Sequence, residues 1–422
     1  MGKKHGNKVP FFYCVAVGFC IGFPLSQAHA ERPRFDADVE TWGYYSHKSL
    51  VSDSILNPDN TLANLSRRRL TADVRINATI KGDSFDVLVR PHLVKEIGYA
   101  DDTRKVTGDA YLSQGFARFK LPRDVTVTLG RELLTWGPGN FRSPSNPYYF
   151  DAGRTQPLRE VDGLDLARIH YLAGGVGVTA AHIFRDQSRN IVRDPQTNEI
   201  NMDDKRSELL KFDYRGTNYL LSAVASRAED EGTFGGAFAQ ATLSDALLMY
   251  GELGSIPPAH VVNNGTGTAR DVPRRSTWLG GASYTLQSGK VFSIEYLRDN
   301  RGFTREQQRL YFSQVQQGLS LSSATAIAAA SDATAERPPL LGKKYVSLVF
   351  QSDLQETSPY WRAMWVRNIQ DQSSQAIIYL ETRVSDRFSV FGLLRRNFGA
   401  ADTEFGAVVR SEAVLGFKAF AF

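Results

Sequence analysis

The chain has 422 residues, of which 23% are charged and 42% are hydrophobic, with 35 glycines and 17 prolines. These fractions exclude a collagen-like protein, a disulfide-rich miniprotein and an intrinsically disordered chain. The formal charge of +5 includes three lysines within the first 30 residues, so the remainder is nearly neutral. Without a clustered basic surface, a nucleic acid is not expected as a partner.

Residues 1–30 have the three parts of a removable secretory signal. Lysines precede an apolar run over 9–25, and small residues at 28–30 form an A-x-A exit. Because glycines and a proline interrupt the apolar run, we expect cleavage after residue 30 rather than a retained membrane anchor. Both cysteines, Cys14 and Cys20, lie in this segment, so the exported chain would contain no disulfide.

From residue 35 onward, the dominant pattern is an alternation of polar and apolar residues. Within 69–80, Leu70 and Val74 share one face, whereas Arg69 and Asp73 share the other. This period of two is typical of a β-strand with one apolar and one hydrated side. The pattern predicts about eighteen strands, of which 108–120, 161–171 and 246–254 leave the parity open: 35–45, 68–80, 83–96, 108–120, 125–135, 161–171, 174–185, 206–215, 217–227, 231–243, 246–254, 275–287, 289–300, 343–354, 359–368, 376–385, 387–396 and 410–422.

The predicted connections differ in length according to their place in the chain. Tight turns follow each even-numbered strand before the last, and many of the other connections are long. Short turns at one end and long loops at the other are typical of an outer-membrane barrel, whose short turns lie in the periplasm. No later apolar run approaches the roughly 20 residues that a membrane-spanning helix needs. The long connections are 46–67, 136–160, 186–205, 255–274 and 301–342.

We therefore predict an all-β fold: a single transmembrane antiparallel β-barrel of about eighteen strands over residues 31–422. Soluble sandwiches and propellers are the alternatives, but the chain shows no domain linker and no repeat of about 40–50 residues. The polar faces also carry rows of opposite charges. Aromatic residues near the strand ends would form two interfacial girdles: Trp42, Tyr44, Tyr45, Tyr111, Tyr214, Tyr219, Trp278, Trp361 and Trp365.

The end of the chain adds a second indication. The last predicted strand ends in Phe422, with Phe420 two residues earlier, and this resembles the assembly signal of bacterial outer-membrane proteins. Lys418 and Gly416 depart from the usual apolar alternation. The resemblance implies the outer membrane of a Gram-negative bacterium as the location, with its lipid and the barrel assembly machinery as partners.

A family resemblance lies in residues 129–171. The segment 129–139 (LGRELLTWGPG) resembles the strand-and-loop signature of several porin-like families, among them the capsule-assembly and alginate-export types of eighteen-stranded barrel. The segments 143–147 and 157–163 fit the same signature. The resemblance implies a pore or a polysaccharide-handling surface.

The loop 136–160 contains four prolines and three glycines, so it is stiff and holds a shape. In many porins the third loop folds inward and narrows the lumen; the alternative is a loop packed over the barrel mouth with its charges solvated. Alternation sends Arg131 toward lipid unless a bulge near Gly130 turns it inward. The candidates for a constriction are Arg131, Arg142, Asp151, Arg154, Arg159 and Glu160.

Charges on the hydrated faces are candidates for solute contact, above all Arg69, Arg75 and Arg90. Their field could set a preference among ions, or opposite charges could simply pair and fill the interior. Cations slightly outnumber acids in this set, which weakly favours anionic solutes. The other members are Asp73, His92, Lys211, Asp213, Glu295, Arg362, Glu381 and Arg383.

Catalytic and cofactor motifs are missing from the sequence, which contains no HExxH, GxSxG or P-loop. We therefore expect no enzyme and no cofactor. An Ala-rich segment, 323–330, is predicted to form a surface helix or a plug element. The sequence thus favours a passive channel for hydrophilic solutes, and the alternative is a barrel for exopolysaccharide or capsule export or for surface attachment.

Overall fold

A computed structural model describes residues 33–100, 103–151, 153–185, 206–229, 232–262, 269–320, 338–353 and 359–421. The predicted leader 1–30, the loop 186–205, the Ala-rich segment 323–330 and Phe422 lie outside these residues.

Eighteen antiparallel strands form one closed barrel, and each of the predicted strands is present within a few residues of its expected bounds. Neighbours in the barrel are neighbours in the chain, except that β11 pairs with β14 across a small hairpin, β12–β13. The barrel closes where β1 pairs with β20. The strands are β1 Arg34–Leu50, β2 Arg68–Lys81, β3 Phe85–Ala100, β4 Thr103–Leu121, β5 Val125–Glu132, β6 Leu164–Ala173, β7 Val176–Arg185, β8 Ser207–Arg215, β9 Tyr219–Ala228, β10 Gly232–Thr242, β11 Leu247–Ile256, β12 Ala259–Val262, β13 Ala269–Val272, β14 Arg275–Thr285, β15 Val291–Asp299, β16 Lys344–Gln351, β17 Tyr360–Asn368, β18 Ser374–Ser385, β19 Phe388–Phe398 and β20 Val409–Ala421.

The barrel has its apolar side outward and its polar side inward. On β2, Leu70 is 52% exposed, whereas Arg69 and Asp73 are each only 6% exposed. On β20, Leu415 is 71% exposed, whereas Val414 is buried. This arrangement is the reverse of a soluble protein, in which charged side chains are almost never buried. The alternation thus places a hydrated interior inside an apolar outer band, as in a transmembrane barrel.

The prediction of outer girdles is wrong for three of the nine aromatic residues, which face inward. Trp42 and Tyr44 lie on the inward side of β1, where Trp42 contacts Phe391. Tyr111 likewise stacks on inward-facing His92. Aromatic side chains near a strand end can take either face, and here the inward face is apolar enough to bury them. The remaining six point outward: Tyr45, Tyr214, Tyr219, Trp278, Trp361 and Trp365.

The two ends of the barrel differ as expected. Turns such as 122–124, 174–175 and 386–387 define the short-turn end. At the long-loop end, helix α1 (Arg305–Ser320) packs through Tyr311 and Phe312 on Ala407, in the connection before β20. Among the described residues, no helix has the length and apolarity needed to span a membrane.

Candidate functional site

The connection between β5 and β6, residues 133–163, lies inside the barrel; we call it the lumen loop. It leaves the wall after Glu132 and reaches the inward side of β11, six strands farther round the barrel. There Glu252 is 1% exposed, whereas its neighbour Leu253 is 59% exposed on the outside. The carboxylate of Glu252 accepts hydrogen bonds from Gly139 N (2.8 Å), Ser143 Oγ (2.8 Å) and Ser145 Oγ (2.7 Å). The prediction of an inward-folded loop is therefore confirmed.

A second wall carboxylate holds the same stretch of the lumen loop. Glu295 on β15 is 2% exposed and accepts hydrogen bonds from Asn140 N (2.5 Å) and Phe141 N (2.8 Å). Tyr250 Oη donates to the same carboxylate at 2.7 Å. Backbone donors cannot be lost by rotamer changes, and hydrogen bonds to an ionised acceptor are the strong ones. Two strands thus fix the loop at a defined position in the lumen.

The close approach to Glu252 explains a glycine in the loop. Gly137 has a φ of +85°, and a Cβ at this position would lie 2.6 Å from the Glu252 carboxylate oxygens. Any other residue would both strain the backbone and push the carboxylate away. The glycines of the Trp136-Gly137-Pro138-Gly139 segment therefore allow the backbone to lie directly against Glu252 on β11.

The lumen loop also packs through apolar side chains against two different parts of the barrel wall. Tyr148 and Tyr149 pack on inward-facing Leu164, Leu166 and Ile183 of β6 and β7. Phe141 packs into a different inward cluster, formed largely by residues of β14–β20. The loop therefore crosses the lumen, and burial of its apolar side chains adds to the hydrogen bonds that hold it.

Three predicted constriction residues form one buried ion cluster within the loop. Asp151 lies 3.5 Å from Arg142 and 3.2 Å from Arg159, measured between carboxylate oxygens and guanidinium nitrogens. Burial alone would raise the pKa of Asp151, but the two guanidinium groups outweigh it and hold the pKa below its ordinary value. Asp151 therefore stays ionised at neutral pH and ties the two arginines together.

Glu160, at the far end of the loop, bridges to the strands beside it. Its carboxylate lies 3.4 Å from Arg75 Nη1 and 3.9 Å from His92 Nε2. Arg75 also pairs with Asp73 at 2.8 Å, and its guanidinium lies 4.0 Å from the centre of the Trp42 ring. The predicted residues Glu160 and Arg75 are thus brought together, although they are distant in sequence.

Arg154 and Arg362 form no ion pair with a carboxylate of the described residues. Arg154 donates to the carbonyl oxygens of Gly139 (2.5 Å) and Gly137 (3.0 Å), and Arg362 on β17 reaches Asn140 at 3.5 Å. Both arginines line a void of about 10 Å³. Among the described residues, these two positive charges of the lumen are therefore not neutralised by a paired acid.

Arg90 and Arg69 lie on the inward side as predicted, at different levels of the wall. Arg69 pairs with Glu96 at 3.7 Å. Arg90 forms no ion pair within the described part of the chain, and its Nε is buried without a partner. Among the described residues, Arg90 is therefore an inward-facing cation of the wall without an ion pair, as Arg362 is.

The prediction that a bulge turns Arg131 into the lumen is wrong. Gly130 has a φ of +119°, yet pairing with β6 continues without a shift from Val125 to Glu132. Arg131 therefore keeps the outward parity of Leu129 and pairs with Asp165 at 2.7 Å. Its charge is neutralised by this cross-strand partner, so no bulge is needed. Arg131 is not part of the lumen site.

Many other inward-facing charges of the described strands are paired with an opposite charge on the same or another strand, so much of the wall charge is mutually neutralised. Glu132, for example, binds both Arg118 (2.6 Å) and Arg168 (2.8 Å). Such pairs fill the interior and leave little net field of their own. Further pairs are Lys418 with Glu381, Arg395 with Glu412, and Lys211 with Asp213.

A cavity of about 990 Å³ lies between the lumen loop and the short-turn end. Trp136 and Gly137 of the loop border it on one side, and the turn residues Gly174 and Gly175 border it on the other. Lys211 on its wall approaches the Trp136 and Phe238 rings to 5.9 and 5.6 Å. The lumen therefore contains free space between the loop and the short turns, lined in part by Lys211, Trp136 and Phe238.

Sequence reasoning missed Glu252, which makes the most hydrogen bonds to the lumen loop. Its strand was one of those with open parity, because Gly251 and Gly254 stand where larger side chains would mark the two faces. The signal that could have found it is the alternation of Met249 and Leu253, which face outward, with Tyr250 and Glu252, which face inward. Within the described residues, no group of three or more His, Cys, Asp or Glu side chains could hold a metal ion.

Comparisons with known proteins give similarity at the level of structure. No family model and no curated protein matches the chain. OccK5 (OpdH) of Pseudomonas aeruginosa has a TM-score of 0.51 at 10% identity, covering 92% of this chain and 98% of that chain. OccK7 (OpdD) of the same organism has a TM-score of 0.52 at 9% identity over 92% and 98%. OccAB1 of Acinetobacter baumannii has 0.53 at 12% identity over 94% and 100%.

At these identities the similarity establishes the fold, a closed antiparallel barrel of 18 strands like that of outer-membrane porins. The resemblance of residues 129–171 to porin-like barrels holds at this level. Its finer assignment, to the alginate-export or capsule-assembly type, is not what the similar structures support.

Proposed function

We propose that the protein is a channel for the passive passage of hydrophilic solutes across the outer membrane of a Gram-negative bacterium. The observation that carries this proposal is the lumen loop, which lies inside a closed 18-stranded barrel and is anchored to the opposite wall. Barrels of 16–18 strands are wide enough for an aqueous channel. A loop fixed within such a channel sets its narrowest width, and size exclusion follows from that width.

Anionic solutes are the preferred class in this proposal. At the level of the lumen loop, Arg154 and Arg362 have no described carboxylate partner, whereas Glu252 and Glu295 are covered by backbone and hydroxyl donors of the loop. The acids are therefore screened from the lumen more than these two arginines are. In a confined passage of low effective dielectric, the remaining positive charges favour anions.

The similar structures support a channel rather than an export or attachment role. They are Occ porins of the outer membrane, and they give no support for the exopolysaccharide alternative. Porins are not enzymes, and no catalytic step is proposed for this chain. Residence in that membrane further implies removal of the leader in residues 1–30 and insertion by the barrel assembly machinery.

Planar-bilayer recording tests the channel. The purified protein, shown to be folded by heat-modifiable migration on a gel, should insert with discrete conductance steps. In a potassium chloride gradient, the reversal potential should have the sign of anion preference. A folded protein that inserts without steps, and that binds an added acidic polysaccharide instead, would favour the export or attachment alternative.

The orientation of the barrel gives a separate prediction. Because the chain after residue 30 contains no cysteine, single cysteines can be placed at Gln314, on the exposed face of α1, and at Asp386, in a short turn. On intact cells, a membrane-impermeant maleimide should label Gln314→Cys at once. It should label Asp386→Cys only after the outer membrane is permeabilised. The opposite pattern would mean that the barrel is inverted.

A further inference from the structure

Three cations lie side by side on the outer surface at the long-loop end. Arg298 on β15 is directly opposite Lys344 on β16. Arg367 on β17 is opposite Val346, two residues from Lys344, so the two cations are diagonal neighbours. Opposite and diagonal positions on adjacent strands lie about 5 and 7–8 Å apart. The three side chains are all exposed, and they form what we call the outer basic patch.

The patch faces lipid rather than the lumen. Arg298 shares its face with Ile294, which is 47% exposed, and Arg298 is directly opposite outward-facing Trp278. Trp365, two residues before Arg367, continues the same outward side of β17. The patch therefore begins where the apolar band ends, with aromatic residues between the two.

No described carboxylate neutralises the patch. The only contact of its side chains among the described hydrogen bonds joins Arg298 to the amide oxygen of Asn300 at 3.2 Å. Like charges on adjacent strands repel each other and destabilise the sheet. Outward-facing Arg131 differs from the patch, because it is opposite Asp165 and forms an ion pair with it. An external anion would remove the repulsion.

A second outward row has the same character on the other side of the barrel. His47, Arg68, Tyr99 and Arg104 are successive partners across β1–β4, and all four are exposed. The Arg68 guanidinium lies 5.8 Å from the centre of the Tyr99 ring. At the short-turn end, by contrast, the outward positions are occupied by apolar and aromatic residues: Phe35, Leu121, Tyr171, Tyr214, Tyr284 and Phe417. In the described strands, these outward-facing cations therefore lie at the long-loop end.

We propose that the outer basic patch binds the phosphate groups of a phosphorylated glycolipid of the outer leaflet. The inference rests on the proposed outer-membrane location, in which the long-loop end meets that leaflet. Guanidinium groups bind phosphate through two parallel hydrogen bonds, and lysine adds a point charge. Acyl chains of the same lipid would lie along the apolar band below, beside Trp278 and Trp365. One ligand thus satisfies both the charges and the apolar surface.

Native mass spectrometry of the detergent-solubilised protein tests this proposal without recording conductance, so its outcome is independent of the channel proposal. The probe is hexa-acylated lipid A with two phosphates. The wild-type protein should retain lipid A, and Arg298→Gln/Lys344→Gln/Arg367→Gln should bind it at least tenfold more weakly. The matched control Lys81→Gln/Arg123→Gln/Arg387→Gln removes three exposed cations at the short-turn end and should bind as the wild type does.

A measurement on the unmodified protein keeps the proposal testable if the triple variant does not fold. Enzymatic removal of both phosphates from lipid A should abolish binding. Raising the salt to about 1 M, where the screening length falls to about 3 Å, should weaken binding to intact lipid A. Equal retention of phosphorylated and dephosphorylated lipid, or of lipid A by the wild type and the triple variant, would overturn the proposal.

Discussion

The double substitution Glu252→Ala/Glu295→Ala is expected to raise the single-channel conductance severalfold. The two carboxylates accept hydrogen bonds from four backbone amides of the lumen loop, those of Gly139, Asn140, Phe141 and Ser145. Each hydrogen bond to a charged group contributes about 1.5–3 kcal/mol, so the anchorage is lost when both acceptors are removed. The freed loop should then move in the lumen and leave a wider and noisier pore.

The barrel itself should tolerate this change, because no hydrogen bond between strands is removed. Heat-modifiable migration and the thermal unfolding of the β-structure would check this. Glu412→Ala is the matched control, since Glu412 is an inward carboxylate that pairs with Arg395 and Lys48 and does not touch the loop. Each single variant should give an intermediate effect. A folded double variant with wild-type conductance would contradict the role of these carboxylates as anchors.

The second large effect is expected on ion preference. Replacing Arg154 and Arg362 by glutamine should shift the reversal potential in a salt gradient toward cations. At an effective dielectric of about 20, a unit charge about 8 Å away is worth roughly 2 kcal/mol to a passing anion. The loss of both charges, together worth about 4 kcal/mol, should therefore change the permeability ratio by well over tenfold at low salt. High salt should blunt this effect by screening.

The charge-preserving variant Arg154→Lys/Arg362→Lys separates charge from position. Lysine cannot reproduce the two hydrogen bonds that Arg154 donates to the carbonyl oxygens of Gly137 and Gly139. This variant should keep the anion preference while its conductance changes with the position of the loop. If the glutamine and lysine pairs shift the reversal potential equally, the two arginines act only by holding the loop.

The barrel could be predicted from the sequence because its strands obey a local rule. Each strand has one side in lipid and one in the lumen, so alternation marks its bounds without knowledge of its neighbours. The inward position of Arg69, Asp73 and Glu295 follows from the same rule. Stiffness and the porin resemblance pointed to an inward fold of the loop after β5.

The partners of the loop could not be predicted in this way. Glu252 and Glu295 contact the loop only because the closed barrel brings β11 and β15 across the lumen from β5. Local alternation within a strand does not report which strands face each other across the lumen. Arg131 shows the same limit. Its outward position is acceptable only because Asp165, on the next strand, lies directly opposite it. The pairing register, rather than the composition of either strand, decides both cases.

The pairing of β1 with β20 also determines how the chain can fold. This seam joins Val39 to Ala421, so its contacts span nearly the whole described chain. Such distant pairing is slow to form, because the entropy of closing so long a loop is lost before any contact is gained.

Until the seam forms, two strands of 17 and 13 residues each present an unpaired edge. Open edges of this length are templates for pairing with other chains. The strands between them cannot cover these edges, because the free edge of β1 pairs only with that of β20. The unfinished barrel therefore needs a folding path in which its edges are shielded until the ring is complete.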